Sequence, residues 1–201
     1  MCEGKNQSEL KYFNHFIKRD NPYNLKIISC IATDPLNMAK KAKEIIINYQ
    51  LDFSLGDRIF CLVDVDLSQN QMNKIELAQK KYFNKRCKIE FILSNPCFEI
   101  WLLYHFTDYP NVENSSQHVK RQLKKYVKNY KENMDIIQEY NFNEQDLLRV
   151  LTKVDEKNQT YSKDVSIIHR NPYTEIGKLV RLLLTLKNNQ NDEKKCLIHQ
   201  S

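Results

Sequence analysis

Two aspartates separated by one residue, Asp64 and Asp66, follow a nearly continuous apolar run, Arg58–Val63. Such a run is typical of a β-strand that is buried on both faces of a sheet. Residues two apart on a strand face the same way, and two carboxylates held close together repel unless a cation lies between them. Mg²⁺ (or Mn²⁺) binds one or two carboxylates together with water and substrate phosphates, so the pair is a candidate metal site. The structural alternative is that one aspartate caps the next helix and the other is merely exposed.

A second acidic segment opens the chain. Glu3 precedes Gly4, which suits a loop at the end of a strand because glycine allows an unusual backbone angle or a close approach. Glu9 falls in the first turn of a helix that Ser8 can cap. The alternative for Glu9 is an ordinary surface residue that interacts favourably with the helix dipole.

A third acidic element is Glu99, which lies within the strongly apolar segment Ser94–Phe106. The segment contains Trp101, the single tryptophan of the chain, and it follows a predicted strand. Two interpretations of Glu99 remain open. It is either a partner of the helix dipole in a first turn or a carboxylate that belongs to a functional site.

Short apolar runs that alternate with helix signals predict the elements of the first half of the chain. The predicted strands are Leu25–Ile31, Arg58–Val63 and Lys88–Leu93. The predicted helices are Pro35–Gln50, Asn73–Lys85 and Pro96–Phe106, followed by Gln117–Lys131, Asn143–Val154 and Pro172–Leu186. This order predicts an α/β fold with a mostly parallel sheet flanked by helices and a helical C-terminal half. Ligands of such sheets bind beyond the carboxyl ends of the strands, which is where Asp64 and Asp66 fall.

The same pattern predicts how the chain is divided. We expect residues 1–110 to form the core that carries the metal site and residues 111–186 to form a helical part packed on that core. Residues 187–201 are polar, and we expect them to form a fraying tail.

Basic residues are concentrated in the second half of the chain without an acid between them. This stretch comprises Lys120, Arg121, Lys124, Lys125, Lys128 and Lys131. Such a face could bind the phosphates of a nucleic acid with an affinity that depends on salt. The alternative is the solvated outer face of an amphipathic helix. Arg170 is a further candidate contact, whereas His105 sits among aromatic residues and is predicted to be a core residue.

Composition excludes several classes of protein. The chain has 201 residues, a net charge of +6 and only three glycines, so neither of the glycine-rich phosphate loops GxxxxGK[ST] and GxGxxG can be written. The six cysteines form no CxxC pair and do not cluster with histidines, which gives a zinc site little support. No run approaches the roughly 20 apolar residues of a membrane helix. We expect a cytoplasmic protein with free thiols.

Four segments of the chain together resemble the RloB-like family. They are Cys2–Phe13 (CEGKNQSELKYF), Phe60–Asp66 (FCLVDVD), Ser94–Phe106 (SNPCFEIWLLYHF) and Asn171–Val180 (NPYTEIGKLV). They occur in the expected order over about 180 residues, and Ser94–Phe106 is the most specific of them.

The resemblance implies a Toprim-like fold, the module of primases, topoisomerases and overcoming-lysogenisation-defect nucleases. By position, Glu3 matches the glutamate that follows the first strand of that fold, and Asp64 and Asp66 match its DxD. Glu9 resembles the second glutamate of the nuclease branch, and Glu99 is a further candidate acid. One departure is that only Met1 and Cys2 precede Glu3, so we expect a truncated first strand.

The function implied by the resemblance is that of a Mg²⁺-dependent nuclease in bacterial defence against phage (abortive infection), acting with a companion ATPase. Whether the substrate is DNA, tRNA or another RNA stays open. A second interpretation is a catalytically inactive module that binds nucleic acid or the ATPase. A third is a nucleotide-sugar transferase, since a DxD also binds metal–diphosphate there, but no other feature of that class accompanies it.

Overall fold

The computed structural model describes residues 1–2, 7–30, 34–82, 89–111 and 114–198, with side chains described through residue 188. Over these residues the chain forms eight α-helices, a short 3₁₀ helix at Ile167–His169 and three strands. The strands are β1 (Ile59–Asp64), β2 (Ile89–Asn95) and β3 (Tyr173–Thr174). The helices are α1 (Ser8–Asn14), α2 (Pro35–Asn48), α3 (Gln69–Tyr82), α4 (Glu99–Leu103), α5 (Ser116–Tyr126), α6 (Ile136–Tyr140), α7 (Glu144–Gln159) and α8 (Ile176–Ile198).

The predicted α/β class is confirmed, and the sheet is small and mixed. Strand β1 pairs with β2 in parallel, from Ile59 opposite Ile89 to Asp64 opposite Ser94. Strand β3 pairs with the end of β2 in the antiparallel direction. The mostly parallel sheet of a Toprim-like fold therefore stays a prediction, because the described sheet has one parallel and one antiparallel pairing.

The predicted strand Leu25–Ile31 is present only as an isolated parallel bridge between Cys2 and Ser29. The backbone of Cys2 bonds on this side to Ile28 and Cys30, at 3.0 and 2.9 Å. On its other side, the Met1 carbonyl accepts a bond of 2.9 Å from the Leu62 amide of β1. The first two residues thus lie between β1 and the segment that precedes α2.

Two apolar cores cover the two faces of the sheet. Side chains that alternate along β1 divide between them, with Cys61 and Val63 on one side and Leu62 on the other. The first core packs α2 and α3 on the sheet. The second core surrounds Trp101 of α4 and joins α1 with α5, α6, α7 and α8. The helices of the C-terminal half therefore share a core with residues of the N-terminal half.

Helix α2 begins where the sequence predicts it. The Asp34 side chain accepts bonds from the amides of Leu36 and Asn37, at 3.0 and 3.3 Å, and Pro35 occupies the first helical position.

The predicted helix starts at Pro96 and Pro172, each of which follows an asparagine, are wrong. The Asn95–Pro96 and Asn171–Pro172 bonds are both cis; helix α4 begins at Glu99, and strand β3 comes before α8. Helix α8 continues to Ile198, beyond the predicted helix end at Leu186, and the fraying of the tail stays a prediction. Within the described residues, none of the helices combines the length and apolar character that crossing a membrane requires.

Candidate metal site and nucleic-acid face

The carboxyl end of β1 carries the two predicted aspartates. Asp64 is the last residue of the strand and is half-buried, and its Oδ1 atom accepts a bond of 2.9 Å from the Phe98 amide just before α4. Asp66 is exposed, and its Oδ1 atom accepts a bond from the hydroxyl of Ser116, the first residue of α5. The two carboxylates are therefore each attached to the start of a different helix at the same end of the sheet.

The backbone that connects the two aspartates is not a continuation of the strand. Asp66 and Leu67 have φ angles of 53° and 55°, which lie in the left-handed region. The expected strand alternation therefore does not set the direction of the Asp66 side chain. Bonds between this turn and the turn after β2 set it instead, since the Val65 amide donates to Ser94 O at 2.8 Å and the Asp66 amide donates to Pro96 O at 2.9 Å.

Glu99 lies in a buried polar cluster next to this site, and its side chain is 3% exposed. The Tyr130 hydroxyl donates to Glu99 Oε1 at 3.1 Å, and Lys120 Nζ lies 3.7 Å from the same atom. Lys120 also pairs with Glu132. The Ser8 hydroxyl lies 3.1 Å from the Tyr130 hydroxyl and donates to the Glu132 carbonyl at 2.9 Å. We define these five residues, Ser8, Glu99, Lys120, Tyr130 and Glu132, as the Glu99 cluster.

The charges of the Glu99 cluster change the pKa values of its members. Burial lowers the pKa of Lys120, but the attraction of Glu99 and Glu132 outweighs it and raises that pKa overall. Burial raises the pKa of Tyr130, and the Glu99 carboxylate raises it further. Lys120 is therefore a cation and Tyr130 a neutral hydrogen-bond donor at neutral pH.

Cys97 connects the aspartates with the Glu99 cluster. Burial raises the pKa of this thiol well above its usual value, and the charges of Glu99 and Asp64 raise it further. Its thiol also interacts with the hydroxyl of Ser116, the residue that donates to Asp66. The buried thiol thus interacts with Asp64 and Glu99, and it is linked to Asp66 through Ser116.

The two glutamates of the opening segment differ in what the structure describes. Glu3 lies outside the described residues. Glu9 is buried at 5% exposure on α1, so the alternative of an ordinary surface residue is wrong. Burial raises the pKa of the Cys2 thiol to about 12, and the Glu9 charge contributes to that increase. The Glu9 carboxylate is therefore close enough to Cys2 for its charge to affect the thiol.

The donor chemistry of the site fits a hard divalent cation. Asp64 and Asp66 offer carboxylate oxygens, and Mg²⁺ binds to one or two carboxylates with water and substrate phosphates completing its octahedron. Over the described parts of the chain, no three His, Cys, Asp or Glu side chains converge as a ready ligand set. A metal ion would thus be held by the aspartate pair, and the ligand role predicted for Glu3 falls outside the described residues.

One comparison with known proteins gives a match. A family model described as RloB-like protein matches residues 1–183, which is most of the chain. The chain belongs to the RloB-like family. No curated protein and no solved structure matches it.

The basic face of this RloB-like protein lies mainly on α5, whose residue Ser116 contacts Asp66. Arg121, Lys124 and Lys125 are exposed on the helix, and Lys128 is exposed just after it. The predicted helix Gln117–Lys131 ends at Tyr126, so Lys128 and Lys131 lie beyond its end. These side chains are available to an anionic partner.

Two of the predicted nucleic-acid contacts have partners within the protein. Lys120 is turned inward to Glu99 and Glu132, and its side chain is 25% exposed. Arg170 donates through Nε to Val165 O at 2.8 Å and through Nη2 to Lys163 O at 3.0 Å. The Arg170 side chain therefore stabilises the loop from Lys163 to Arg170 through hydrogen bonds to its backbone.

The prediction that His105 is a core residue is confirmed. Its side chain is buried and stacks on Phe142 with 4.6 Å between ring centroids. Its Nε2 atom lies 3.3 Å from the Tyr12 hydroxyl. Burial lowers the pKa of His105 to about 3, so the ring is neutral near pH 7.

Among the residues that hold the site, Ser116 and Tyr130 were not identified from the sequence as site residues. Ser116 follows Ser115, the residue that caps α5 through the His118 amide, and this serine pair was a usable helix-start signal. Tyr130 falls within the predicted helix Gln117–Lys131 and carries no site signal of its own. No local pattern marks its hydroxyl as a partner of Glu99, which is 31 residues away.

Proposed function

We propose that this RloB-like protein is a Mg²⁺-dependent phosphodiesterase that cuts nucleic acid. The observation that carries the proposal is the placement of Asp64 and Asp66. They lie at the carboxyl end of a buried parallel strand, and each is fixed by a donor at the start of a helix. One of these helices, α5, also carries the basic face. A site for a metal and a surface for phosphates are thus joined by one contact between Ser116 and Asp66.

Each group of residues has a distinct role in the proposal. Asp64 and Asp66 would hold the cation, which, when bound, supplies charge stabilisation at the phosphodiester and activation of a water. Arg121, Lys124, Lys125 and Lys128 would bind backbone phosphates. Glu99, buried beside Cys97, would be a further acid of the site. By the resemblance, Glu3 and Glu9 would complete the acidic set as ligands, with Glu3 a candidate general base.

The test of this proposal is cleavage of labelled plasmid, single-stranded DNA and total tRNA with Mg²⁺ or Mn²⁺, each with and without EDTA. Wild type is compared with the double variant Asp64→Ala/Asp66→Ala and with Glu76→Ala, an exposed acid of α3 that serves as control. We expect metal-dependent cutting that falls by at least about 10³-fold in the double variant, because such metal sites contribute several kcal/mol to the transition state. The control should cut like wild type. Full activity in a folded double variant would refute the proposal.

A catalytically inactive module that binds nucleic acid is the second candidate. It is favoured by the contacts of the acids themselves, since Asp64, Asp66 and Glu99 each accept a hydrogen bond from a protein donor, as structural acids do. Binding that does not depend on metal, without turnover of any substrate, would identify this function. A companion ATPase and a role in phage defence belong to both proposals and rest on the family resemblance. Repeating both assays with the ATPase added would test whether it switches the protein on.

A further inference from the structure

Asn95, the last residue of β2, has a buried side chain that bonds in two directions. The side chain has no exposed surface, and its Oδ1 atom accepts a bond of 2.9 Å from the Leu67 amide. Its Nδ2 atom donates to the carbonyls of Ile167, Ile168 and Arg170, at 2.9, 3.2 and 2.9 Å. One amide side chain therefore connects the turn that carries Asp66 to the loop that carries Arg170.

The turn that Asn95 holds is sterically demanding. Both Asp66 and Leu67 lie in the left-handed region, which is unfavourable for a bulky residue such as leucine unless the surroundings hold it there. Three successive amides of this turn are fixed by the segment that ends β2. Val65 and Asp66 donate to backbone carbonyls, but Leu67 donates to a side chain. A substitution at Asn95 therefore removes the bond to the Leu67 amide and leaves the other two acceptors in the backbone.

The chemistry of the position needs a carboxamide. Its oxygen must accept from an amide while its nitrogen donates to carbonyls, and among side chains of this length only asparagine does both. An aspartate would place negative charge against three carbonyl oxygens, and an alanine would leave the Leu67 amide and the carbonyls without their partner.

We propose that Asn95 is a positioning residue for the metal site, because it holds the Asp66–Leu67 turn in the left-handed conformation that directs the Asp66 carboxylate. The metal part of this inference rests on the proposed function. Asn95 itself touches neither substrate nor metal. It acts on Asp66 through the backbone of Leu67, as residues that hydrogen-bond to metal ligands act on the ligands they orient.

The first measurement is amide hydrogen exchange of the metal-free protein by nuclear magnetic resonance. We expect the Leu67 amide to exchange at least about tenfold faster in Asn95→Ala, since its bond to Oδ1 is lost. The matched control is Thr174→Val, which removes another fully buried polar group at the same end of the sheet. The Thr174 hydroxyl contacts Ser94 Oγ at 2.8 Å and accepts a bond of 3.3 Å from the Ile176 amide. This control should leave the Leu67 amide unchanged. If Asn95→Ala does not fold, wild type decides: a protected Leu67 amide supports the proposal, and one that exchanges like an exposed amide overturns it.

The second measurement is calorimetric binding of Mn²⁺ to the same proteins. Loss of a group that orients a metal ligand weakens metal binding by about 10–100-fold, and we expect that loss in Asn95→Ala but not in Thr174→Val. Adding Leu67→Gly to Asn95→Ala should restore part of the affinity, because glycine adopts a positive φ without support. Unchanged affinity in folded Asn95→Ala would overturn the proposal. If wild type binds no Mn²⁺, the proposed function and the metal role of Asn95 both fail, while exchange at Leu67 still decides whether Asn95 holds the turn.

Discussion

Two buried ionisable side chains lie six residues apart around α4, and their surroundings differ in kind. Glu99 at the start of the helix meets the Tyr130 hydroxyl and the Lys120 ammonium group. His105, just after the helix, meets aromatic rings and one hydroxyl, that of Tyr12. Its Nδ1 atom has no hydrogen-bond partner among the described residues. Glu99 has a cation 3.7 Å from its Oε1 atom, whereas the hydrogen-bond and ring contacts of His105 are with aromatic rings and one neutral hydroxyl.

The difference shows what burial alone can and cannot indicate about function. An ionised group taken out of water is costly unless a counter-charge or hydrogen bonds replace the water. His105 avoids this cost by remaining neutral, and it behaves as one more aromatic core residue. Glu99 has the partners that stabilise a carboxylate, and its charge acts on the Cys97 thiol together with that of Asp64. Both side chains are buried, so the hydrogen-bond and charge partners are what distinguish Glu99, the candidate functional acid, from the core residue His105.

The largest expected effect is on the cation of the Glu99 cluster. Lys120→Met removes the positive charge shared by Glu99 and Glu132 and leaves a buried carboxylate without its counter-ion. We expect the free energy of unfolding in urea to fall by about 2–3 kcal/mol, somewhat less than for a fully buried pair because Glu132 is partly exposed. Lys124→Met, on the exposed side of the same helix, should change it by less than about 0.5 kcal/mol. Equal effects of the two variants would show that Lys120 is an ordinary surface lysine.

A second effect should appear at His105 as a dependence of stability on pH. Because burial lowers the folded-state pKa to about 3, the unfolded state binds a proton below its ordinary value of 6.5 and the folded state does not. The stability contributed by the neutral ring is fully present above pH 6.5 and is lost as the pH falls toward 3. Between pH 7.5 and 5 the expected loss is about 2 kcal/mol.

The variant that isolates this effect is His105→Phe, which keeps an aromatic ring but cannot titrate. Carboxylates that titrate at acid pH act equally in both proteins, so the difference between the two urea curves reports His105 alone. The same loss with pH in wild type and His105→Phe would contradict the prediction, because it would mean that the histidine takes up its proton as readily in the folded protein as in the unfolded one.

A third and smaller effect concerns the hydroxyl that Tyr130 directs to Glu99. Tyr130→Phe keeps the ring in the core and removes the buried hydrogen bond to the Glu99 carboxylate together with the 3.1 Å contact with the Ser8 hydroxyl. We expect the free energy of unfolding to fall by about 1–2 kcal/mol. Tyr140→Phe is the matched control, because its hydroxyl donates at 3.2 Å to the Tyr126 carbonyl in an exposed position. If the two variants have the same free energy of unfolding, the Tyr130 hydroxyl does not stabilise Glu99.

The sequence predicted those parts of the fold that depend on local signals. The apolar runs gave β1 and β2 to within one or two residues, and the Asp34–Pro35 cap located the start of α2. A similar pair, Asn95–Pro96, did not begin a helix at Pro96 as predicted, because α4 begins at Glu99. The backbone from Ser94 to Phe98 instead forms hydrogen bonds with Asp64 and the turn after β1, including the bond from the Phe98 amide to Asp64. Interactions between distant segments outweighed the local preference for a helix there.

The candidate site was predictable in its acids and not in the groups that hold them. Asp64 and Asp66 are visible as a pair after an apolar run, but their donors, Phe98 and Ser116, lie 34 and 50 residues further along the chain. Lys120 was grouped with its basic neighbours because all of them share one stretch of sequence. Its inward direction depends on Glu132, which comes from a different segment. The side chains that orient a site are set by tertiary contacts that no spacing in the sequence reveals.

The smallest expected effect on stability, and the clearest on binding, belongs to the exposed lysines that surround the inward-facing Lys120. Changing Lys124, Lys125 and Lys128 to glutamine should alter the unfolding free energy by less than about 0.5 kcal/mol. Each lysine that contacts a phosphate contributes about 0.7–0.9 to the slope of log affinity against log salt. The triple variant should therefore bind nucleic acid with a slope that is shallower by about two.

The control for this last prediction changes two exposed lysines of α3, Lys80 and Lys81, to glutamine on a helix that packs on the opposite face of the sheet. It should leave the salt dependence as in wild type. An affinity that does not vary with ionic strength in wild type would remove the nucleic-acid role of α5. A shallower slope in the control but not in the α5 variant would show that nucleic acid binds at α3. That helix lies on the other side of the sheet from α5, the helix whose first residue contacts Asp66.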